Sequence, residues 1–140
     1  KIGNPDVWNP RIEMVLRDGK AAMHALREAS IARWFTPAFA QAHPEQVQPV
    51  VDMLAQTSPQ GYAANCAAVR DADFREQIGA IKLPLLVVSG VADAVCPPAD
   101  GRFIVEQVAG AEYVEFSSAH LASIEAGEAF GARVLTFLQA

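Results

Sequence analysis

The feature that most limits the fold of this chain is the position of its strands. Residues 83–90 form a short continuous apolar run ending at a glycine, which is typical of a strand buried on both faces. Residues 111–116 have the aromatic and β-branched composition of a second strand. A helix pattern follows each strand, at 98–108 and at 125–138. This order predicts two parallel strands joined by a helical crossover.

The residues before the first strand carry helix signals separated by proline and glycine. The clearest is Ser58 before Pro59, an N-cap followed by a first-turn proline. The apolar spacing predicts five helices, over 5–18, 20–30, 36–42, 45–56 and 59–71. We therefore expect an α/β chain with a helical part over 5–79 and a strand-bearing part over 80–140. Two parallel strands make a poor sheet alone, so this arrangement suits a part of a larger fold.

Composition excludes several classes of function. Hydrophobic residues make up 51% and charged residues 19% of the chain, which favours a packed globular protein. The net charge is −5 with no basic cluster, so we expect no nucleic-acid partner. No apolar run approaches the ~18 residues of a membrane span, and no membrane partner is expected. Cys66 and Cys96 lack CxxC spacing, which favours buried reduced thiols and a cytoplasmic location over a disulfide or zinc site.

Polar residues follow both predicted strands. Asp93 lies in the loop after the first strand, and His120 lies in the loop after the second. Because parallel strands end at the same rim of a sheet, we expect these two side chains to lie side by side. A carboxylate beside a histidine fixes the imidazole tautomer and stabilises the imidazolium when the ring takes a proton from a nucleophile. The alternative is an Asp that caps its turn and a loop histidine without a role.

The segment around these residues resembles the end of the α/β-hydrolase pattern. The turn from Gly90 to Asp93, then Pro97, His120 and Glu125, stands in the order found in that superfamily. Its triad runs along the chain as serine, acid, histidine. The resemblance implies that Asp93 is the triad acid and His120 the general base. We expect Glu125 to cap the last helix or to bond to the histidine loop.

The helical part resembles the cap of 3-oxoadipate enol-lactonases. Three motifs carry the resemblance: RWFTPAF at 33–39, TSPQGYAANCAA at 57–68 and RDAD at 70–73. With them the likeness extends over nearly all 140 residues and matches the C-terminal half of such enzymes. It implies a helical cap followed by two parallel strands alternating with helices. It also implies hydrolysis of a small-molecule lactone or ester in aromatic (β-ketoadipate) catabolism, without a metal or organic cofactor.

The same resemblance suggests residues that contact substrate. A cap presents aromatic surface to a small ring, which makes Trp8, Trp34 and Tyr62 candidates, with packing inside the cap as the alternative for each. The lactones carry a carboxylate that an arginine can bind with two hydrogen bonds. Arg33 and Arg70 lie near the motifs. We predict Trp8, Trp34 and Arg33 as the substrate-binding set.

The chain departs from the hydrolase pattern at the nucleophile. The strained turn that exposes a catalytic serine needs the pattern Gly-x-Ser-x-Gly. The only glycines with that spacing, Gly127 and Gly131, have Ala129 between them. We expect the chain alone to be inactive, and its partner to be the missing N-terminal half of the hydrolase or a second copy of itself.

Three alternatives remain at this point. The chain could be a noncatalytic helical binding module with a vestigial hydrolase tail, or a fragment that self-associates through its sheet edge. It could also belong to another α/β-hydrolase chemistry, such as haloalkane or epoxide cleavage with an upstream aspartate nucleophile. The distance between Asp93 and His120 in the folded chain distinguishes the first alternative from a hydrolase.

Overall fold

The computed structural model describes residues 3–140, which divide into two compact units. The first unit contains the residues up to Ala32 together with His43–Phe74, and the second contains Arg33–Ala42 together with Arg75–Ala140. Both units are therefore discontinuous in sequence. These bounds differ from the predicted cap at 5–79 and core at 80–140, because residues 33–42 group with the strands. The functional division into cap and core stays a prediction.

The first unit is helical throughout. Its helices are α1 (Pro5–Asp18), most of α2 (Lys20–Trp34), α4 (Pro44–Gln56) and α5 (Pro59–Asp71). The Asn4 side chain caps α1 by accepting from the Asp6 amide at 2.9 Å. The Ser58 hydroxyl accepts from the Gly61 amide at 3.3 Å, and the predicted start of α5 is thus confirmed. The sequence placed the end of α2 at Ser30, and the structure extends that helix by one turn.

A closed hydrophobic core fills the first unit. Its buried apolar residues come from all four helices and are Val15, Ala22, Met23, Leu26, Val47, Val51, Leu54, Ala55, Ala63 and Cys66. Polar bonds add to the packing: Arg27 pairs with Asp52 at 2.8 Å, and Arg70 donates to Asn9 at 2.8 Å. These bonds join α2 to α4 and α5 to α1. The unit thus buries apolar helix faces against one another, although Val7, Leu16 and Met53 stay more than half exposed.

The second unit contains the sheet. Its elements are α3 (Pro37–Ala42), a short 3₁₀ turn (Ile78–Ala80), β1 (Leu86–Gly90), α6 (Pro98–Gln107), β2 (Glu112–Phe116), α7 (Ala122–Glu125) and α8 (Gly127–Leu138). The two strands are parallel, with Leu86 opposite Glu112 and Gly90 opposite Phe116, so the predicted parallel pairing is confirmed. The single helix predicted at 125–138 is instead two, because Ala126 separates α7 from α8.

The strands are less buried than their composition suggested. β1 begins at Leu86, three residues later than predicted, and Leu83 before it is 77% exposed. Ser89 and Gly90 are buried, but Leu86, Val87 and Val88 are only half-buried. The prediction of a strand buried on both faces is therefore wrong for this chain as it stands. α8 likewise contributes no buried residue, although Phe130 packs against Phe116 with ring centroids 6.1 Å apart.

No helix among residues 3–140 has both the length and the apolar character needed to span a bilayer.

Candidate active site

The loops that leave the two strands are joined by backbone hydrogen bonds. The Val91 amide donates to the Phe116 carbonyl, and the Ala92 amide donates to the Ser118 carbonyl, both at 2.9 Å. These bonds continue the pairing of the strands beyond the sheet. The loop that carries Asp93 and the loop that carries His120 are thus held together at one rim.

Gly90 allows this close approach. A Cβ atom at this position would lie 2.1 Å from the Ala119 carbonyl oxygen and 2.6 Å from the Ser118 carbonyl oxygen. The backbone just before His120 therefore crosses directly over the last residue of β1, where only glycine leaves enough space.

Asp93 uses its two carboxylate oxygens for different tasks. Oδ1 accepts from the backbone amides of Val95 at 2.7 Å and Cys96 at 2.9 Å, which fixes the turn and the orientation of the carboxylate. Oδ2 lies 2.9 Å from Nδ1 of His120. The proximity predicted from the two loops is therefore observed. The Asp93 side chain is 6% exposed and the His120 side chain 30% exposed, so a buried carboxylate holds a ring that solvent can reach.

This pair has the geometry that general-base catalysis needs. When Nδ1 of His120 carries the proton, it donates to Asp93, and Nε2 then has a free lone pair for a nucleophile's proton. The carboxylate can stabilise the imidazolium formed in that transfer. The arrangement is compatible with the triad roles of Asp93 and His120 but does not test them, so these roles stay predictions.

Glu125 anchors the loop that carries His120, residues 117–121, which we call the histidine loop. Its Oε2 accepts from the backbone amide of Ala119 at 2.9 Å and from that of Thr36 at 3.2 Å, while the Thr36 hydroxyl donates to Oε1. The Leu121 amide donates to the Trp34 carbonyl at 3.0 Å. The residues on both sides of His120 are therefore tied to the segment 33–42. Of the two roles considered for Glu125, bonding to the histidine loop is the one observed.

The predicted substrate residues fall in different units. Trp34 and Arg33 belong to the second unit and are half-buried. Trp8 belongs to α1 of the first unit, where the Arg11 guanidinium lies 5.6 Å from its ring centroid. Tyr62, also in the first unit, is half-buried, and burial raises the pKa of its hydroxyl. The substrate contacts of all of them stay predictions.

The two candidate arginines differ in their surroundings. Arg70 forms a forked pair with Asp71 at 2.7 and 2.9 Å and also donates to Asn9, so its donors are engaged within the first unit. Within residues 3–140, no carboxylate lies within ion-pair distance of the Arg33 guanidinium. Arg33 is thus the arginine with donors available for an anionic ligand.

Cys96 is the residue of this site that the sequence analysis missed. It was expected to be a small buried hydrophobe, which is correct for Cys66 but wrong for Cys96. Cys96 is half-buried beside Asp93 and His120. Burial, together with the Asp93 and Asp100 carboxylates, raises the pKa of its thiol. Its place three residues after Asp93, within the same turn, was the available signal.

Comparison with solved structures identifies the class of fold. The chain has the fold of the C-terminal part of an α/β-hydrolase, superposing on the enol-lactonase of Burkholderia xenovorans with a TM-score of 0.93. That match has 39% sequence identity and covers 99% of this chain and 52% of the other. A hydrolase from Pseudomonas aeruginosa matches with a TM-score of 0.91, 35% identity and coverage of 99% and 51%.

Sequence comparison points to the same group of enzymes. The chain is 35% identical over 130 residues to 3-oxoadipate enol-lactonase 2 of Acinetobacter baylyi, which covers 93% of this chain and 48% of the relative. 3-Oxoadipate enol-lactonase 1 of that organism gives the same identity and coverage. The chain spans about half the length of these relatives and corresponds to their C-terminal half. No protein-family model matches the chain.

Proposed function

We propose that this chain is the acid–histidine part of a serine hydrolase that opens an enol-lactone ring. The observation that carries the proposal is the 2.9 Å approach of His120 Nδ1 to a buried Asp93 carboxylate. The sequence similarity to 3-oxoadipate enol-lactonases supplies the substrate class. The coarser conclusion, homology to α/β-fold hydrolases, does not depend on the choice of lactone.

In the proposed reaction, His120 accepts the hydroxyl proton of a serine outside these 140 residues. The serine oxygen attacks the lactone carbonyl, the ring C–O bond breaks, and an acyl-enzyme forms. His120 returns its proton to the departing enolate oxygen. It then activates a water molecule whose attack releases the acid and restores the serine. Asp93 holds His120 in the Nδ1–H tautomer throughout, and no metal or organic cofactor takes part.

Arg33 and Trp34 are proposed to contact the substrate. The Trp34 carbonyl accepts a hydrogen bond from the amide of Leu121, the residue after His120. This bond holds Trp34 beside the loop that carries the general base. Arg33 precedes it and has guanidinium donors available for the lactone's carboxylate. Trp8 is proposed to contact the substrate as well.

We also propose a cytoplasmic setting for the enzyme, supported by the free thiols of Cys66 and Cys96. The partner proposed for the chain is the N-terminal half of a hydrolase of this fold.

Reconstitution tests the function. The chain is purified alone and co-expressed with the N-terminal half of the B. xenovorans enol-lactonase, and opening of 3-oxoadipate enol-lactone is followed by absorbance. We expect turnover only from the co-expressed pair, and its loss in His120→Gln but not in the matched control His24→Gln, since His24 is exposed on α2. Equal turnover by wild type and His120→Gln, or turnover by the chain alone, would overturn the proposal.

A further inference from the structure

Three different metal-ligand types meet at the rim of the sheet. Asp93, Cys96 and His120 each offer one ligand atom, and these atoms all lie within 4.8 Å of one another. A carboxylate oxygen, a thiolate sulfur and an imidazole nitrogen are the three donors that proteins use for Zn²⁺. Among residues 3–140, this is the one group of at least three such side chains with ligand atoms this close.

The turn after β1 holds two of these ligands in a fixed relation. Oδ1 of Asp93 accepts from the Cys96 amide at 2.9 Å, which places Cys96 against the carboxylate and leaves Oδ2 directed at His120. The third ligand is positioned by the bonds that join the two loops. The ligand set is therefore organised by backbone hydrogen bonds that do not involve the ligand atoms needed for the metal.

Access and charge also suit a cation. Cys96 and His120 are both half-buried, so an ion can reach the cluster from solvent. Burial, and then the Asp93 and Asp100 carboxylates, raise the pKa of the Cys96 thiol. In the described part of the chain, His120 is the only basic side chain within ion-pair distance of Asp93.

We propose that Asp93 Oδ2, Cys96 Sγ and His120 Nδ1 form a Zn²⁺ site that excludes the Asp93–His120 hydrogen bond. Zinc takes these ligands at about 2.0–2.3 Å in tetrahedral geometry, which requires the nitrogen and oxygen to separate to about 3.3 Å. The nitrogen and oxygen are 2.9 Å apart in the hydrogen bond, and the Cys96 sulfur lies within 4.8 Å of both. Binding therefore requires a small movement of the half-buried ring and closure of the Cys96 side chain to about 3.5 Å from the other two ligand atoms. A water molecule completes the coordination.

The proton balance of this exchange is defined. The thiol releases one proton to solvent as the S–Zn²⁺ bond forms. The imidazole stays neutral, and its proton moves from Nδ1 to Nε2, because Nδ1 now coordinates the metal. With a proton on Nε2, His120 can no longer accept one from a nucleophile. Zinc therefore acts as a reversible inhibitor, a consequence that rests on the proposed function, whereas the binding itself does not.

Metal binding to the 140-residue chain tests the site directly. Co²⁺ is the probe, because coordination by a thiolate gives an intense near-ultraviolet charge-transfer band, and Zn²⁺ then displaces it in a calorimetric titration. We expect one equivalent of each metal and the charge-transfer band in wild type. Cys96→Ala should lose the band and bind Zn²⁺ at least tenfold more weakly. His120→Gln should weaken binding by a similar factor.

Cys66→Ala is the matched control, because it removes the other thiol from the buried core of the first unit. Its titration should equal that of wild type, and circular dichroism checks that each variant is folded. Absence of stoichiometric binding, or a Cys96→Ala titration equal to wild type, would overturn the zinc site. Binding without lactone turnover by the reconstituted enzyme would refute the proposed function and leave the zinc site standing.

Discussion

The two compact units differ in how many apolar side chains they bury and in the bonds that stabilise them. The first unit packs four helices around a core that includes Met23 and Val51, each almost completely buried. The second unit buries fewer apolar side chains, the largest being Phe35 and Val108, buries no residue of α8, and relies on backbone and carboxylate hydrogen bonds around its two strands. Hydrophobic packing is non-directional, whereas hydrogen bonds fix angles and distances. The unit that holds Asp93 and His120 is the one organised by directional bonds.

Of the two units, the second should carry the general-base chemistry, and substitution of Asp93 should have the largest effect of all. In the reconstituted enzyme, Asp93→Asn should lower the rate of lactone opening by about 10⁴-fold, because an amide favours the wrong imidazole tautomer. Stopped-flow absorbance measures the rate, and Asp52→Asn on α4 of the first unit serves as control. A comparable loss in both variants would contradict the assignment of the chemistry to the second unit.

Stability should depend more strongly on the first unit. Met23→Ala removes a fully buried side chain from its core, and we expect the free energy of unfolding to fall by about 2–5 kcal/mol. Leu135→Ala on α8, where the side chain is 59% exposed, should change it by less than about 0.5 kcal/mol. Urea denaturation followed by circular dichroism measures both. A large effect of Leu135→Ala would show that the face of α8 is covered in solution.

Two glycines of the second unit, Gly90 at the end of β1 and Gly131 in α8, should respond differently to substitution by alanine. Gly90→Ala places a methyl group against the Ala119 carbonyl, and the strain should cost about 1–3 kcal/mol and displace the histidine loop. Gly131→Ala in α8 meets no atom within 4 Å and should be neutral or stabilising by up to about 1 kcal/mol. The His120 ring resonances report the displacement by NMR, and unchanged resonances in Gly90→Ala would count against this view of the rim.

The smallest expected effect concerns the carboxylate that holds the histidine loop. Glu125→Gln keeps one acceptor oxygen but loses the charge that strengthens three hydrogen bonds, and should destabilise the chain by about 1–2 kcal/mol. Glu128→Gln, at an exposed position on α8, is the matched control. Amide hydrogen exchange at Ala119 should accelerate only in Glu125→Gln. Equal exchange in both variants would show that Glu125 does not order the loop.

The sequence predicted most helices and both strands because each carries its own periodic or composition signal. α5 follows from Ser58 and Pro59, and the parallel pairing follows from the order of the elements. The four residues of α7 are too few to show a period, and the last turn of α2 ends at Trp34, whose carbonyl bonds to Leu121 far along the chain. Such tertiary contacts leave no local pattern, so sequence reasoning misses them.

Part of the candidate site could also be predicted from the sequence. Asp93 and His120 were predicted to meet because both follow parallel strands, which is a rule of topology. Cys96 was missed because its approach to His120 depends on the turn that Asp93 Oδ1 organises. That two strands make a poor sheet alone was expected, but the exposure of β1 and α8 was not, since apolar composition indicates that a strand prefers burial but not what covers it.

The long-range hydrogen bonds of the second unit have a consequence for how the chain folds. The bonds from Glu125 to Thr36 span 89 residues, and the Arg70–Asn9 bond that joins α5 to α1 in the first unit spans 61. Closing such long loops costs conformational entropy before any stabilising bond can form, so contacts between residues far apart in sequence form late. We expect a transient state in which individual helices are formed while the α1–α5 pairing and the histidine loop are still unanchored. The residues closest to the proposed chemistry are then among the last to reach their native positions.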